Sequence, residues 1–416
     1  MKKTQKKKLG RNIFILCLYF LLPLQKLNAY GSGLIDKLPD AEGNLNLGAL
    51  ELHPAFMYTE RWSDNIYYTS ENRTKDTIST ITGGMLFSIG EQYQINLGYL
   101  ADYHIYSENE KENFTSHNIL GEIDLNFNSG LKIYALDKFI MTMDPRDISN
   151  NFFRSKRSEN ISKGSVGFIS PSTKTEFNLG YENEYLDYLQ DTNKEYDRIS
   201  HTAISMFNYR FFSKLAMELE FNYLWEKYPH RIDNNIDCEY RTGFAGLSWS
   251  YKKDVKLVLM PGILGINYRN ADYPDDKTWI IKSDVDYKFH ILGKSQLSLT
   301  GGKKIERTPY EGSVEYQTSK GSYYEDLFAS IKFHTWFTQK IMVFLKYSYS
   351  YRVYNKIIDT LAERKDNFHM GETGFGFKPL GVIMLNGKYS YAENISNHKF
   401  RNMKNHSAQF SILVSL

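Results

Sequence analysis

The feature that most constrains this chain is a two-residue alternation of apolar and polar side chains, repeated from about Gly48 to the C-terminal Leu416. Between 93 and 105, Tyr93, Ile95, Leu97, Tyr99, Ala101, Tyr103 and Ile105 interleave with Gln94, Asn96, Gly98, Asp102 and His104. A strand points successive side chains to opposite faces, so one face of this segment is greasy and the other polar. Phe177, Leu179, Tyr181 and Tyr185 alternate in the same way with Glu176, Asn178, Glu182 and Glu184. So do Leu215 to Trp225 with Glu218, Glu220, Asn222 and Glu226, and Ile341 to Tyr351 with Lys346, Ser348, Ser350 and Arg352. Tight turns such as Gly90-Glu91, Asn128-Ser129-Gly130, Ser170-Pro171-Ser172 and Pro379-Leu380-Gly381 alternate with longer polar loops, among them 60–76, 144–158, 308–322 and 355–366. Short turns on one side and long loops on the other are the mark of a transmembrane β-barrel with periplasmic turns and extracellular loops.

The expected fold is all-β: a transmembrane antiparallel up-and-down β-barrel of about 18 strands. The strands should begin near 48, 77, 93, 116, 131, 159, 174, 199, 215, 240, 255, 278, 295, 323, 340, 367, 382 and 403. A mean hydropathy of −0.48 excludes a bundle of membrane helices, since each span needs about 20 mostly apolar residues. The 32 Tyr and 26 Phe suit sites where one ring edge meets lipid and the other meets water. A soluble sandwich would alternate similarly. It would not place aromatics at both ends of the apolar faces, nor close the chain on Ala408, Phe410, Ile412, Val414 and Leu416.

The N-terminus reads as a secretory signal. Lys2, Lys3, Lys6, Lys7, Lys8 and Arg11 precede an apolar run from Ile13 to Leu24, and Leu27-Asn28-Ala29 offers a cleavage site. The expected organisation is a signal peptide at 1–29, a short periplasmic segment at 30–47 and the barrel at 48–416. Cleavage leaves 44 basic against 48 acidic side chains, a net charge of −4, so the basic precursor gives no argument for nucleic acid. The remaining cysteine, Cys238, has no partner for a disulfide and is read as a loop residue.

Catalytic patterns are missing. The ten His lack metal-ligand spacing, and no Gly-x-Ser-x-Gly elbow or phosphate-cradling loop occurs. The reading is a non-enzyme without cofactor. Asp64 and Asn65 could hold a cation with nearby loop oxygens, but an Asx-type turn is the plainer account.

Two resemblances add to this. Phe410, Ile412, Val414 and Leu416 resemble the C-terminal insertion signal of Gram-negative outer-membrane barrels, with Leu where Phe or Trp is usual. That implies recognition by the barrel-assembly machinery, in contact with outer-membrane lipid and lipopolysaccharide. The opening from 48 to 106, with His53-Pro54 in the first strand and then Asp64-Asn65-Ile66, resembles a β-barrel porin family encoded beside exopolysaccharide biosynthesis and export genes. That resemblance implies a conduit or accessory for a secreted polysaccharide, with periplasmic polysaccharide-export proteins and the polymer as partners.

A barrel of this size is too wide for side chains to fill and leaves an aqueous channel. The pore-lining candidates are Asp102, Glu122, Asp124, Glu176, Glu182, Glu184, Glu218, Glu220 and Glu226 from the first half, and Lys282, Lys288, Lys304, Lys346, Arg352 and Lys388 from the second. They suggest an acidic wall opposite a basic one, unless neighbouring strands pair them into neutrality. Lumen aromatics read as few: Tyr106, Tyr134 and Phe344. Three functions stay open: a pore for polysaccharide export, a structural or adhesive outer-membrane protein, and a small-solute diffusion porin.

Overall fold

Each tight turn in the sequence closes a hairpin, and the hairpins add up to a ring. The computed structural model describes residues 45–416 apart from 91, 144–154, 191–193, 195–196, 231–236, 252–254, 270–274, 290–293, 308–322, 355–363, 399–400 and 416. The expected signal peptide and most of the expected 30–47 segment lie outside the described residues. Nineteen strands follow in order: β1 (Leu45–Leu47), β2 (Leu50–Ser63), β3 (Asp76–Ile89), β4 (Tyr93–Tyr106), β5 (Phe114–Asn126), β6 (Leu131–Thr142), β7 (Arg157–Ile169), β8 (Thr175–Tyr188), β9 (Arg198–Phe212), β10 (Leu215–Lys227), β11 (Cys238–Tyr251), β12 (Val255–Tyr268), β13 (Asp276–Phe289), β14 (Lys294–Arg307), β15 (Tyr323–Trp336), β16 (Ile341–Tyr354), β17 (Lys365–Leu380), β18 (Ile383–Ser396) and β19 (Met403–Ser415). From β2 to β19 every strand pairs antiparallel with the next, and β19 pairs back onto β2, closing an 18-strand barrel. Each begins within two residues of its expected start.

The unexpected strand is β1. Gly48, at φ 71°, turns it into a hairpin that sets Leu47 against Leu50 and Leu45 against Leu52. It fills an edge that β19 leaves open. The β19–β2 seam runs only from Ser407–Ser63 to Ser415–Ala55, nine residue pairs against the fourteen between β2 and β3. Pro54 falls in the gap between β1 and the end of β19, where a missing N–H breaks no ladder bond. Pro261 is accommodated differently. β12 pairs with β11 in one register on either side of it, and the ladder is interrupted between Phe244–Gly262 and Leu247–Leu259. Pro379 and Leu380, expected in a turn, instead end β17 beyond a bulge at Phe377.

The alternation sorts the two faces as expected. Ile95, Leu97, Tyr99, Leu219, Phe221, Leu345 and Ile412 are exposed on the outside. Their neighbours Asn96, Glu218, Glu220, Lys346 and Gln409 turn inward and are more covered. At the short-turn end the outer face carries aromatic pairs: Tyr93 with Phe127, Tyr209 with Phe211 and Trp249 with Tyr251. Such a girdle flanks the apolar band of outer-membrane barrels.

Candidate functional site in the barrel interior

Inward-facing positions are where a barrel can meet a solute, and all the candidate charged residues occupy them. Asp102 accepts a hydrogen bond from Thr82 at 2.6 Å, Glu122 accepts from Asn96 at 2.8 Å and from Tyr134 at 3.1 Å, and Asp124 accepts from Asn126 at 2.9 Å. Glu218 lies 3.5 Å from the Asn208 amide. Glu176 and Lys288 are inward members of β8 and β13, next along the strand to the outward Phe177 and Tyr287.

Most of the others are ion-paired. Glu182 meets Lys163 at 2.8 Å, and Glu184 and Glu226 both meet Arg198, at 2.7 and 3.4 Å. Lys346 and Lys388 share Glu372 at 3.1 and 3.6 Å. Lys304 and Arg352 share Asp326 at 3.6 and 3.9 Å. The simple picture of an acidic wall facing a basic one therefore needs correction, because neighbouring strands neutralise much of the charge locally.

The pairs are nonetheless polarised. Lys282 is 45% exposed while its partner Glu220 is 13% exposed. Lys346 is 35% exposed over a 13% exposed Glu372, and Lys304 is 35% exposed over a 3% exposed Asp326. The carboxylate lies against the wall and the longer lysine carries its ammonium into the water, as a flexible stem with a strongly hydrated head favours. On the other side of the ring the order reverses, with Glu182 at 26% over Lys163 at 15%. In an 18-strand ring β8 stands opposite β17, so Glu182 faces the Lys346–Glu372–Lys388 group.

One pair shows how the wall is built. Lys282 on β13 reaches past β12 and β11 to Glu220 on β10, donating at 2.7 and 2.8 Å. Its ammonium passes 4.1 Å from the centre of the Phe244 ring, a cation–π contact. Phe244 lies flat because its neighbour is Gly262, where an added Cβ would stand 2.5 Å from the ring. Phe344 lies over Gly374 in the same way, 2.6 Å from the position a Cβ would take. Large side chains thus lie along the wall.

Towards the loop end the inner face is more aromatic than the sequence suggested. Beside Tyr106 it carries buried Phe114, Tyr188, Tyr240, Tyr324, Tyr354 and Phe368. Arg352 lies over the Tyr324 and Phe368 rings, and Arg364 lies over Tyr354. Cys238 also corrects its reading: it opens β11, is buried, and packs with Tyr240 and Ile266.

The motif residues Asp64, Asn65 and Ile66 sit at the seam. The Asn65 amide donates to the backbone oxygens of Thr69 and Lys404 at 2.8 and 2.9 Å, and its side-chain oxygen accepts from the Thr69 N–H at 3.0 Å. Asp64 accepts from the His406 N–H at 2.7 Å, and Asn405 donates to the Asn65 carbonyl at 2.7 Å. Ile66 is buried beside Ile78, Tyr106 and Phe114. The loop after β2 is therefore clasped onto β19, and these oxygens are already engaged with the protein. Among the described residues no group of three or more His, Cys, Asp or Glu could hold a metal ion. Phe410 and Ile412 of the C-terminal signal are exposed on the outside, Val414 is partly covered, and Leu416 lies outside the described residues.

A closed 18-strand antiparallel barrel with an apolar outside and a charged inside defines an integral outer-membrane β-barrel protein. Its architecture is that of solved outer-membrane porins. Pseudomonas aeruginosa OccK2 (OpdF), in complex with glucuronate, superposes with a TM-score of 0.50 at 9% identity, over 90% of this chain and 98% of that one. Pseudomonas aeruginosa OccK5 (OpdH) gives 0.49 at 10% identity, over 88% and 98%. At such identities the likeness is one of fold. No protein-family model matches the chain, and no curated protein matches it in sequence.

Proposed function

We propose that this protein is a passive outer-membrane channel for small hydrophilic solutes, with a preference for anionic ones. The observation that carries the reading is the polarised ion pairing on β10 and β13–β18. Lys282, Lys304 and Lys346 present ammonium groups to the interior, and their carboxylate partners lie beneath them. An arc of wall carrying exposed charge of one sign concentrates ions of the other sign along it and needs no closed pocket to do so. The glucuronate held by OccK2 is a solute of this kind, a small sugar bearing a carboxylate.

Polysaccharide export has less support. It rests on the resemblance of residues 48–106, whose sharpest element is Asp64-Asn65-Ile66, and barrel closure accounts for those residues. Liposome swelling discriminates the two. Proteoliposomes should swell faster in glucuronate than in glucose, and should exclude a long dextran. Equal rates for glucuronate and glucose would remove the anion preference, and passage of dextran would favour the polymer conduit.

A further inference from the structure

The outward face carries a second pattern that solute passage leaves unused. In the β4–β5 hairpin Tyr99 stands across from Ile119, and its hydroxyl reaches diagonally towards the loop to Nδ1 of His117 at 2.9 Å. The diagonal recurs three times. Tyr181, across from Ala203, meets Nδ1 of His201 at 2.5 Å. Tyr347, across from Gly371, meets His369 at 2.8 Å, and Tyr389, across from Ala408, meets His406 at 2.7 Å. Each of these tyrosines is the seventh residue of a 14-residue strand, so all four stand at a similar height above the short turns.

Two more hairpins set other polar pairs on this diagonal. Tyr58, across from Ile81, reaches Ser79 at 3.4 Å, and Asp137, across from Ser162, accepts from Asn160 at 3.2 Å. The six hairpins are contiguous, from β16 through β19 and β2 to β9. In the other three, Phe221, Pro261 and Gly301 take the tyrosine's place.

The line divides the outer surface. Below it lie exposed Ile95, Leu97, Leu179, Leu345 and Ile412. Above it the surface is mixed: Glu393 pairs with Lys404 at 2.7 Å and Asp187 with Lys194 at 2.6 Å, among exposed Trp62, Tyr103 and Tyr185. An apolar surface that gives way to aromatic and charged side chains marks the approach to the lipid headgroups. In each pair the tyrosine oxygen engages Nδ1 and leaves Nε2 for another partner. In the arrangement where the hydroxyl donates, the ring proton sits on Nε2, and the pair carries an N–H donor on an aromatic body at that depth.

We propose that the four Tyr–His pairs are binding positions for the phosphate-bearing headgroups of outer-leaflet lipids. Each His Nε2–H donates to a phosphate oxygen, and the acyl chains lie on the apolar band directly below. The occupant is a membrane lipid because the sites are continuous with that lipid-facing band. Asp137 would repel a phosphate, so the positions fall on either side of it.

The test is native mass spectrometry of the full-length protein in mild detergent, titrated with phosphatidylglycerol and with the diacylglycerol of the same chains. The variant combines His117→Phe, His201→Phe, His369→Phe and His406→Phe. It should bind phosphatidylglycerol about tenfold more weakly, the loss expected from a few weakened polar contacts, and bind diacylglycerol unchanged. Should that variant fail to fold, as judged by heat-dependent gel mobility, Tyr→Phe at 99, 181, 347 and 389 keeps the rings, frees the imidazoles to turn, and should show the same selective loss. Equal phosphatidylglycerol binding by variant and parent, or an equal loss of diacylglycerol, would overturn the proposal.

Discussion

At the residue scale, the inner wall depends on where each side chain can lie. Gly262 lets Phe244 lie flat, the flat ring lets Lys282 cross it, and Glu220 holds the ammonium at the end of that reach. The pair is partly solvated, so it contributes only about 0–1 kcal/mol to stability. Its larger effect is on the field inside the barrel. Glu220→Gln should leave the fold intact and raise anion preference, and Lys282→Gln should lower it; reversal potentials across a salt gradient would show both shifts. Equal and same-signed shifts would mean that the pair does not act as an oriented charge. Part of this was legible in the sequence, since the alternation in Leu215–Trp225 put Glu218 and Glu220 inward. Glu372 was not. In Asn367–Phe377 both faces mix aromatics, glycines and polar residues, so the parity has no apolar side to anchor it. Asp326 was hidden by its neighbour Glu325, because two adjacent acids leave open which one faces in.

At the element scale, strand parity and the seam make separate predictions. Leu219 faces lipid and Glu220 the interior. Leu219→Arg should cost about 2–4 kcal/mol if it falls at mid-bilayer depth, and less near an interface. Glu220→Arg should be tolerated. Folding yield into detergent or bilayer, followed by heat-dependent gel mobility, compares the two, and equal damage would refute the parity.

The seam joins β19 to β2 by nine residue pairs against the fourteen between β2 and β3, and segments flanking β2 hold both of its ends: β1 below, and Asp64-Asn65 above. Asn65→Ala removes several partly buried hydrogen bonds, a loss of about 1–3 kcal/mol. It should lower the temperature at which the barrel opens in detergent, whereas Glu71→Ala, at an exposed position of the same loop, should not. Sequence reasoning found Asp64, Asn65 and Ile66 by their motif but not their task. Their partners Lys404, Asn405 and His406 lie about 340 positions away, and no local pattern carries that distance.

At the scale of the whole molecule, closure was readable because period and turn length act together. Alternation fixes which face each strand buries, and short-long connections allow only an up-and-down ring. What the period could not convey is pairing across strands, which decides how much of the inner charge survives neutralisation. The central claim is that the protein is an aqueous channel whose accessible charge is set by lysines lying over less exposed carboxylates. Single-channel recording in planar bilayers under a potassium chloride gradient tests it most directly. The parent should show discrete current steps with a reversal potential favouring chloride, and the triple variant Lys282→Glu, Lys346→Glu and Lys388→Glu should move that potential towards potassium. Folded protein that passes no current, or a triple variant with an unchanged reversal potential, would contradict the account.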